Sequence, residues 1–157
     1  MPPVDMSFSA PPNRVFDVLS HPPNYENWVV GSRTIESHDP QWPDPGTAFE
    51  HTQGKWPVII HDESEVVSSV RPHRLEMIVK ARPLLVARVV MRLEPEGDGT
   101  HVVMEEEPIG GIMAPFLRTP LGPPLIKLRN TESLRRLRKL AEAPVRRESA
   151  APEPATR

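Results

Sequence analysis

The sequence contains no cysteine. That absence excludes thiol nucleophiles, disulfide staples and cysteine-ligated zinc or iron–sulfur centres together. Nor is there an apolar run near the roughly 18 residues that a membrane span needs, and the opening "MPPVDMSFSAPP" has no basic segment leading into an apolar one. A cytoplasmic protein is the expectation. The histidines (His21, His38, His51, His61, His73 and His101) show no HxH, HxxxH or HExxH spacing, so no metal site is expected on a single element. P-loop, dinucleotide glycine fingerprint and nucleophile elbow are missing too, and no cofactor is expected.

What is present is proline, 21 of 157 residues, most of it standing between periodic segments as punctuation. A chain of 157 residues fits one ordinary domain with a real core. Its charge is uneven. Residues 1–120 carry 10 Lys/Arg and 17 Asp/Glu, net −7, whereas residues 121–157 carry 9 and 4, net +5. An electrostatic partner is therefore to be sought at the C-terminal segment.

Alternation in "VDMSFS" predicts a strand over Val4–Ser9. A short helix follows, with Asn13 as its cap and Val15, Phe16 and Leu19 as its apolar stripe; Pro22 and Pro23 must end it near His21. Strands are then predicted over Arg33–His38, Thr47–Gln53, Val58–Val70, Arg74–Ala81, Leu84–Leu93 and Thr100–Glu107. Connections of a few residues without helices between them make neighbours antiparallel. Residues 109–124 read as an apolar, Gly/Pro-rich loop with at most a short helical turn. Leu125–Ala143 reads as a helix with Ile126, Leu134, Leu137, Leu140 and Ala141 on its apolar side and six Lys/Arg on other faces; 144–157 reads as a disordered tail.

Strand, short helix, six strands and a long final helix imply an α+β domain over 1–143, a curved antiparallel sheet of about seven strands wrapped around its C-terminal helix. The segments "SAPPNRVFDVLSHPPNYENW", "VRPHRLEM", "LEPEGDGTHVVMEE" and "NTESLRRLRKLAE", in that order, resemble the START/Bet v 1-like helix-grip superfamily, and within it the polyketide cyclase/dehydrase and lipid-transport group. The resemblance implies a cavity between sheet and final helix, and a hydrophobic or aromatic ligand such as a lipid, polyketide or isoprenoid-like compound. It also implies that Trp28 sits where the chain enters the sheet, near one end of the cavity, with Tyr25 beside it; the plainer reading makes both structural rim residues.

Candidate ligand contacts follow from strand parity. Met77, Val79, Val89, Met91 and Met104 supply an apolar lining. His51 shares a face with Phe49, and Asp62 with Ile60. An inward His51 and Asp62 would orient a ligand or act as a base with its orienting carboxylate, the chemistry of a cyclase or dehydratase; a merely structural or solvated pair is the alternative. Glu106 is placed to meet Arg129 across the cavity mouth, with an ordinary acidic strand end as the alternative. The basic final helix reads as a solvated face, without the aromatic platforms of single-strand binding, so no nucleic acid is expected. A regulatory module acting through that helix and the Pro-rich apolar loop Ile112–Leu125, with that loop as a lid over the cavity mouth or a transient membrane contact, remains open, as do monomer and homodimer.

Overall fold

A computed structural model describes residues 1–144 of the protein; the expected tail lies, from residue 145 onward, outside the described residues. In chain order the elements are β1 (Val4–Phe8), α1 (Pro12–Leu19), a 3-10 turn (Pro22–Asn24), α2 (Tyr25–Trp28), β2 (Ser32–His38), β3 (Ala48–Lys55), β4 (Val58–Val70), β5 (Arg74–Ala81), β6 (Leu85–Glu96), β7 (Gly99–Gly110), α3 (Ala114–Leu117) and α4 (Gly122–Glu142). The seven strands make one antiparallel sheet, ordered β1-β7-β6-β5-β4-β3-β2. From β2 to β7 it is a meander, and β1 extends it by pairing with β7, Val4 opposite Met104.

Register slips bend the sheet. They occur in β2 against β3, between Val66 and Ser68 of β4, and between Val86 and Ala87 of β6. Each extra residue raises the local twist. On β6, Ala87, Val89, Met91 and Leu93 are buried while Arg88 and Glu94 are exposed, so the alternation places one face under α4.

The proline-rich joints differ from the expectation in an instructive way. Pro11, not Asn13, occupies the cap position of α1, and Pro12 opens the helix; Asn13 makes no capping bond. Proline suits a first turn because its missing N–H has no intrahelical partner there. Likewise α4 begins at Gly122, ahead of Leu125, with Pro123 and Pro124 in its first turn. The region expected as a loop contributes the end of β7, which runs to Gly110, and then α3. Two glycines fix this joint. A Cβ on Gly111 (φ +95°) would lie 2.4 Å from the Leu84 carbonyl oxygen, and one on Gly122 would lie 2.0 Å from that of Leu117.

Antiparallel order assigns every turn to one of two ends. The β3–β4 and β5–β6 turns, the start of β2, the end of β7, α3 and the start of α4 share one end, the open end. The other connections and α1 share the closed end. At the closed end the interior is solid: Phe16, Leu19, Leu75, Met91, Leu93, Val102, Leu134 and Leu137 are all at most 1% exposed. There α4 is tied down by Ser9 N–H donating to Glu142 Oε1 (2.7 Å) and by Arg14 Nε donating to the Ala141 carbonyl (3.2 Å).

Candidate functional site

Toward the open end, the face of α4 changes character. Its buried residues there are Gly122, Ile126, Asn130 and Ser133, two of them short and polar, where the next turns offer Leu134 and Leu137. A cavity of about 60 Å³ lies at this end between the curved sheet and the helix, with Arg129 as the α4 residue on its wall. Since one water needs roughly 10–15 Å³ by the same kind of measure, the space as it stands admits a few waters and no lipid.

Nine of the residues anticipated from sequence line it: Trp28, Phe49, His51, Met77, Val79, Val89, Met104, Glu106 and Arg129. Three do not. Met91 lies in the solid core, and Ile60 lies near the β3–β4 turn, off the wall. Asp62 is also off the wall. Ser64 pairs with Val79, which puts Asp62 beside the end of β5. Its carboxylate there accepts from Arg82 N–H (2.7 Å), from Arg82 Nη2 (2.7 Å) and from Glu63 N–H (2.9 Å). Burial works to raise the Asp62 pKa, but these donors outweigh it and hold it at about 2.

His51 and Asp62 stand directly opposite in register, yet they serve different partners. The expected base-and-carboxylate pair is not formed, because Asp62 is turned to the β5–β6 corner. Instead His51 Nε2 meets Ser64 Oγ at 3.0 Å. Ser64 shares the Asp62 parity on β4, which was the signal for it; Tyr25, Val29, Val30, Ser32, Gln53, Ala81, Leu85 and Ala87 also line the wall. Val29 and Val30 follow a helical turn that no periodicity marks.

The His51 ring is 1% exposed, and burial pulls its pKa below the ordinary value against the Glu63 backbone and the nearby Asp62, Glu36 and Glu63 carboxylates. It is a neutral imidazole, and its Nδ1 has no hydrogen-bond partner among the described residues. The same is true of the Nε1 of Trp28, itself 1% exposed.

Aromatic packing builds that end of the wall. Tyr25 lies 5.0 Å from Trp28 and 4.9 Å from Phe49 between ring centroids, and Phe49 lies 5.5 Å from His51. The Tyr25 hydroxyl and Trp42 Nε1 both donate to the Leu19 carbonyl, at 2.9 and 3.0 Å. Burial pushes the Tyr25 phenol far up, so it stays protonated. The double proline after α1 is what swings Tyr25 and Trp28 under the sheet.

At the mouth, Arg129 Nη2 donates to Glu106, whose side chain is 2% exposed, and also reaches Asn130 Oδ1 at 3.3 Å. The neighbours of Glu106 behave differently: Glu105 pairs with Arg92, and Glu107 is exposed. On the outer face of α4, Glu132 neutralises part of the basic charge by accepting from Arg135 and Arg136, both at 2.9 Å.

A curved antiparallel sheet closed around a C-terminal helix, with a cavity between them, defines the helix-grip class of proteins. Within it the chain belongs to the family described as polyketide cyclase / dehydrase and lipid transport, which it matches over residues 4–142. Solved structures agree on the fold. A protein from Chromobacterium violaceum superposes with a TM-score of 0.71 at 19% identity, over 91% of this chain and 98% of that one. One from Thermus thermophilus gives 0.65 at 16%, over 88% and 94%. The di-domain ARO/CYC StfQ from the steffimycin biosynthetic pathway gives 0.68 at 10%, over 89% of this chain and 49% of that one. No curated protein matches the sequence.

Proposed function

We propose that the protein binds a hydrophobic small molecule bearing an oxygen function in the cavity beneath α4. The observation that carries this reading is the wall itself: apolar over most of its surface, yet built with two fully buried side chains, Trp28 and His51, that each hold a polar atom without a partner among the described residues. Buried polar groups are almost always satisfied. A ligand hydroxyl or carbonyl that entered between them would supply what the protein does not. The family description and the pathway of StfQ agree with a polyketide-like or lipid-like compound. With about 60 Å³ available, such a ligand must part α4 from the sheet, since drug-sized ligands occupy roughly 300 Å³ or more.

The test is a matched pair of probes. Titration with 2-naphthol and with 2-methylnaphthalene, read by tryptophan fluorescence, should show tighter binding of the hydroxyl compound. Equal affinity, or none for either, removes the oxygen anchor. Native mass spectrometry of protein purified from its own host then identifies the natural compound.

A catalytic version has one observation in its favour, the neutral His51 oriented by Ser64 on the cavity wall. It would act as a base without Asp62. Unchanged turnover of a genuine substrate by His51→Ala eliminates it.

A further inference from the structure

The apolar side chains left exposed are not spread evenly over the molecule. Trp56 (79%) at the β3–β4 turn, Ile112 (69%) and Phe116 beside and within α3, and Leu121, Leu125 and Leu128 (71%) around the start of α4 all belong to the open end. At the closed end and along the sheet the comparable residues are Val67 and Val70. Isolated exposed apolar residues need no explanation, but a cluster around a cavity mouth does.

Charge is sorted in the same direction. The four segments that build the open end, residues 29–35, 51–61, 81–87 and 108–131, contain Arg33, Lys55, Arg82, Arg118, Lys127 and Arg129 and no Asp or Glu, and the carboxylates that reach them from outside include Glu26 on Ile35 N–H (2.8 Å) and Glu36 on His61 (3.0 Å). Arg82 and Arg129 are held by Asp62 and Glu106; Arg33, Lys55, Arg118 and Lys127 form no ion pair among the described residues. This is a cationic, apolar end on a body whose residues 1–120 carry a net charge of −7 from 10 Lys/Arg and 17 Asp/Glu. The apolar groups are also held in place. Ile112 N–H donates to the Pro83 carbonyl (3.0 Å) and Met113 N–H to the Leu84 carbonyl (2.9 Å), which fastens the chain before α3 to the β5–β6 turn.

We propose that the open end docks on the surface of an anionic lipid bilayer, with the Trp, Phe and Leu side chains entering the headgroup boundary and the Lys and Arg side chains meeting lipid phosphates. Aromatic and leucine side chains flanked by cations are the composition that lies in such an interface. No helix among the described residues is long and apolar enough to cross a membrane, so the contact is peripheral. The half-exposed wall residues Val29, Gln53, Ala81 and Leu85 lie at this same end. Docking therefore turns the cavity mouth toward the acyl region. This surface stands independently of what the cavity holds.

Cosedimentation of the full chain with phosphatidylcholine vesicles, with and without phosphatidylglycerol, tests the assignment. Binding is expected with the anionic vesicles and should fall on raising the salt. Lys127→Gln should weaken it about fivefold and Phe116→Asp about tenfold or more, while Val70→Asp at the closed end leaves it unchanged. If Phe116→Asp fails to fold by circular dichroism, Leu128→Ser supplies the same readout. Equal binding to both vesicle types, no binding, or loss through Val70→Asp overturns the proposal. So does light scattering that shows a dimer which Phe116→Asp splits, since a second copy would then cover the face. Titration with 2-naphthol in vesicle-free solution reads the cavity separately.

Discussion

At the scale of single residues, His51 and Asp62 show how one register position divides into two jobs. His51 is buried and neutral, so its unfolded form binds a proton more readily than its folded form. Its contribution to stability is complete above about pH 6.5 and declines as the pH falls below that value. In urea denaturation across pH 5 to 7, His51→Phe should flatten this slope; an unaltered slope would mean that another group titrates. Asp62 has the opposite charge and the same direction. Its folded pKa of about 2 lies below the ordinary value of about 4. The stabilisation is whole above the ordinary value and disappears as the pH falls toward the folded one. Asp62→Asn should cost roughly 1–3 kcal/mol at neutral pH, because the Arg82 N–H and Glu63 N–H lose a charged acceptor. It should leave 2-naphthol binding intact, whereas His51→Phe should reduce the preference for 2-naphthol about tenfold, the worth of one hydrogen bond.

Among the elements, α4 decides both the core and the cavity. Ser133 Oγ accepts from Val30 N–H at 3.1 Å, the link that holds the start of β2 under the helix. Ser133→Ala removes that acceptor, and a loss of about 1 kcal/mol is expected in chemical denaturation. Gly122→Ala should cost more, about 2 kcal/mol, because the new Cβ meets backbone at Leu117 that cannot step aside. Most elements were legible from periodicity. β4 and β5 fall where alternation places them, and the double proline ends α1 on schedule. The joints were less so. Asn13 looked like a cap because its side chain suits one, but Pro11 and Pro12 already set the backbone for entry, and no cap bond forms. The start of α4 was hidden by prolines that read as breakers, although in a first turn they break nothing.

For the whole molecule, the small cavity and the solid closed end predict an asymmetric response. Ligand entry must move the start of α4 and α3, while the far half of α4 stays fixed by Leu134, Leu137 and the Ser9–Glu142 bond. Hydrogen exchange should therefore slow at residues 109–130 when 2-naphthol is added, with little change at 134–142. Uniform protection along α4 would speak for binding elsewhere. The thermal midpoint should rise with ligand concentration, as mass action requires of any ligand that binds only the folded state.

The sequence by itself determined the family, the order of elements and the apolar character of the wall, because these depend on periods of two and 3.6 and on proline positions that act locally. It also determined that Glu106 and Arg129 could meet, since strand parity and helix position place both at one mouth. Tertiary structure alone decided that Asp62 leaves the site, because the pairing of β4 with β5, Ser64 opposite Val79, sets its carboxylate beside Arg82 at the β5–β6 turn. It alone decided how much room the cavity holds, about 60 Å³ between a bent sheet and α4. And it alone gathered Trp56, Phe116 and Leu128 with the cations at one end, residues far apart in the chain and drawn together by an antiparallel meander whose alternate turns share an end.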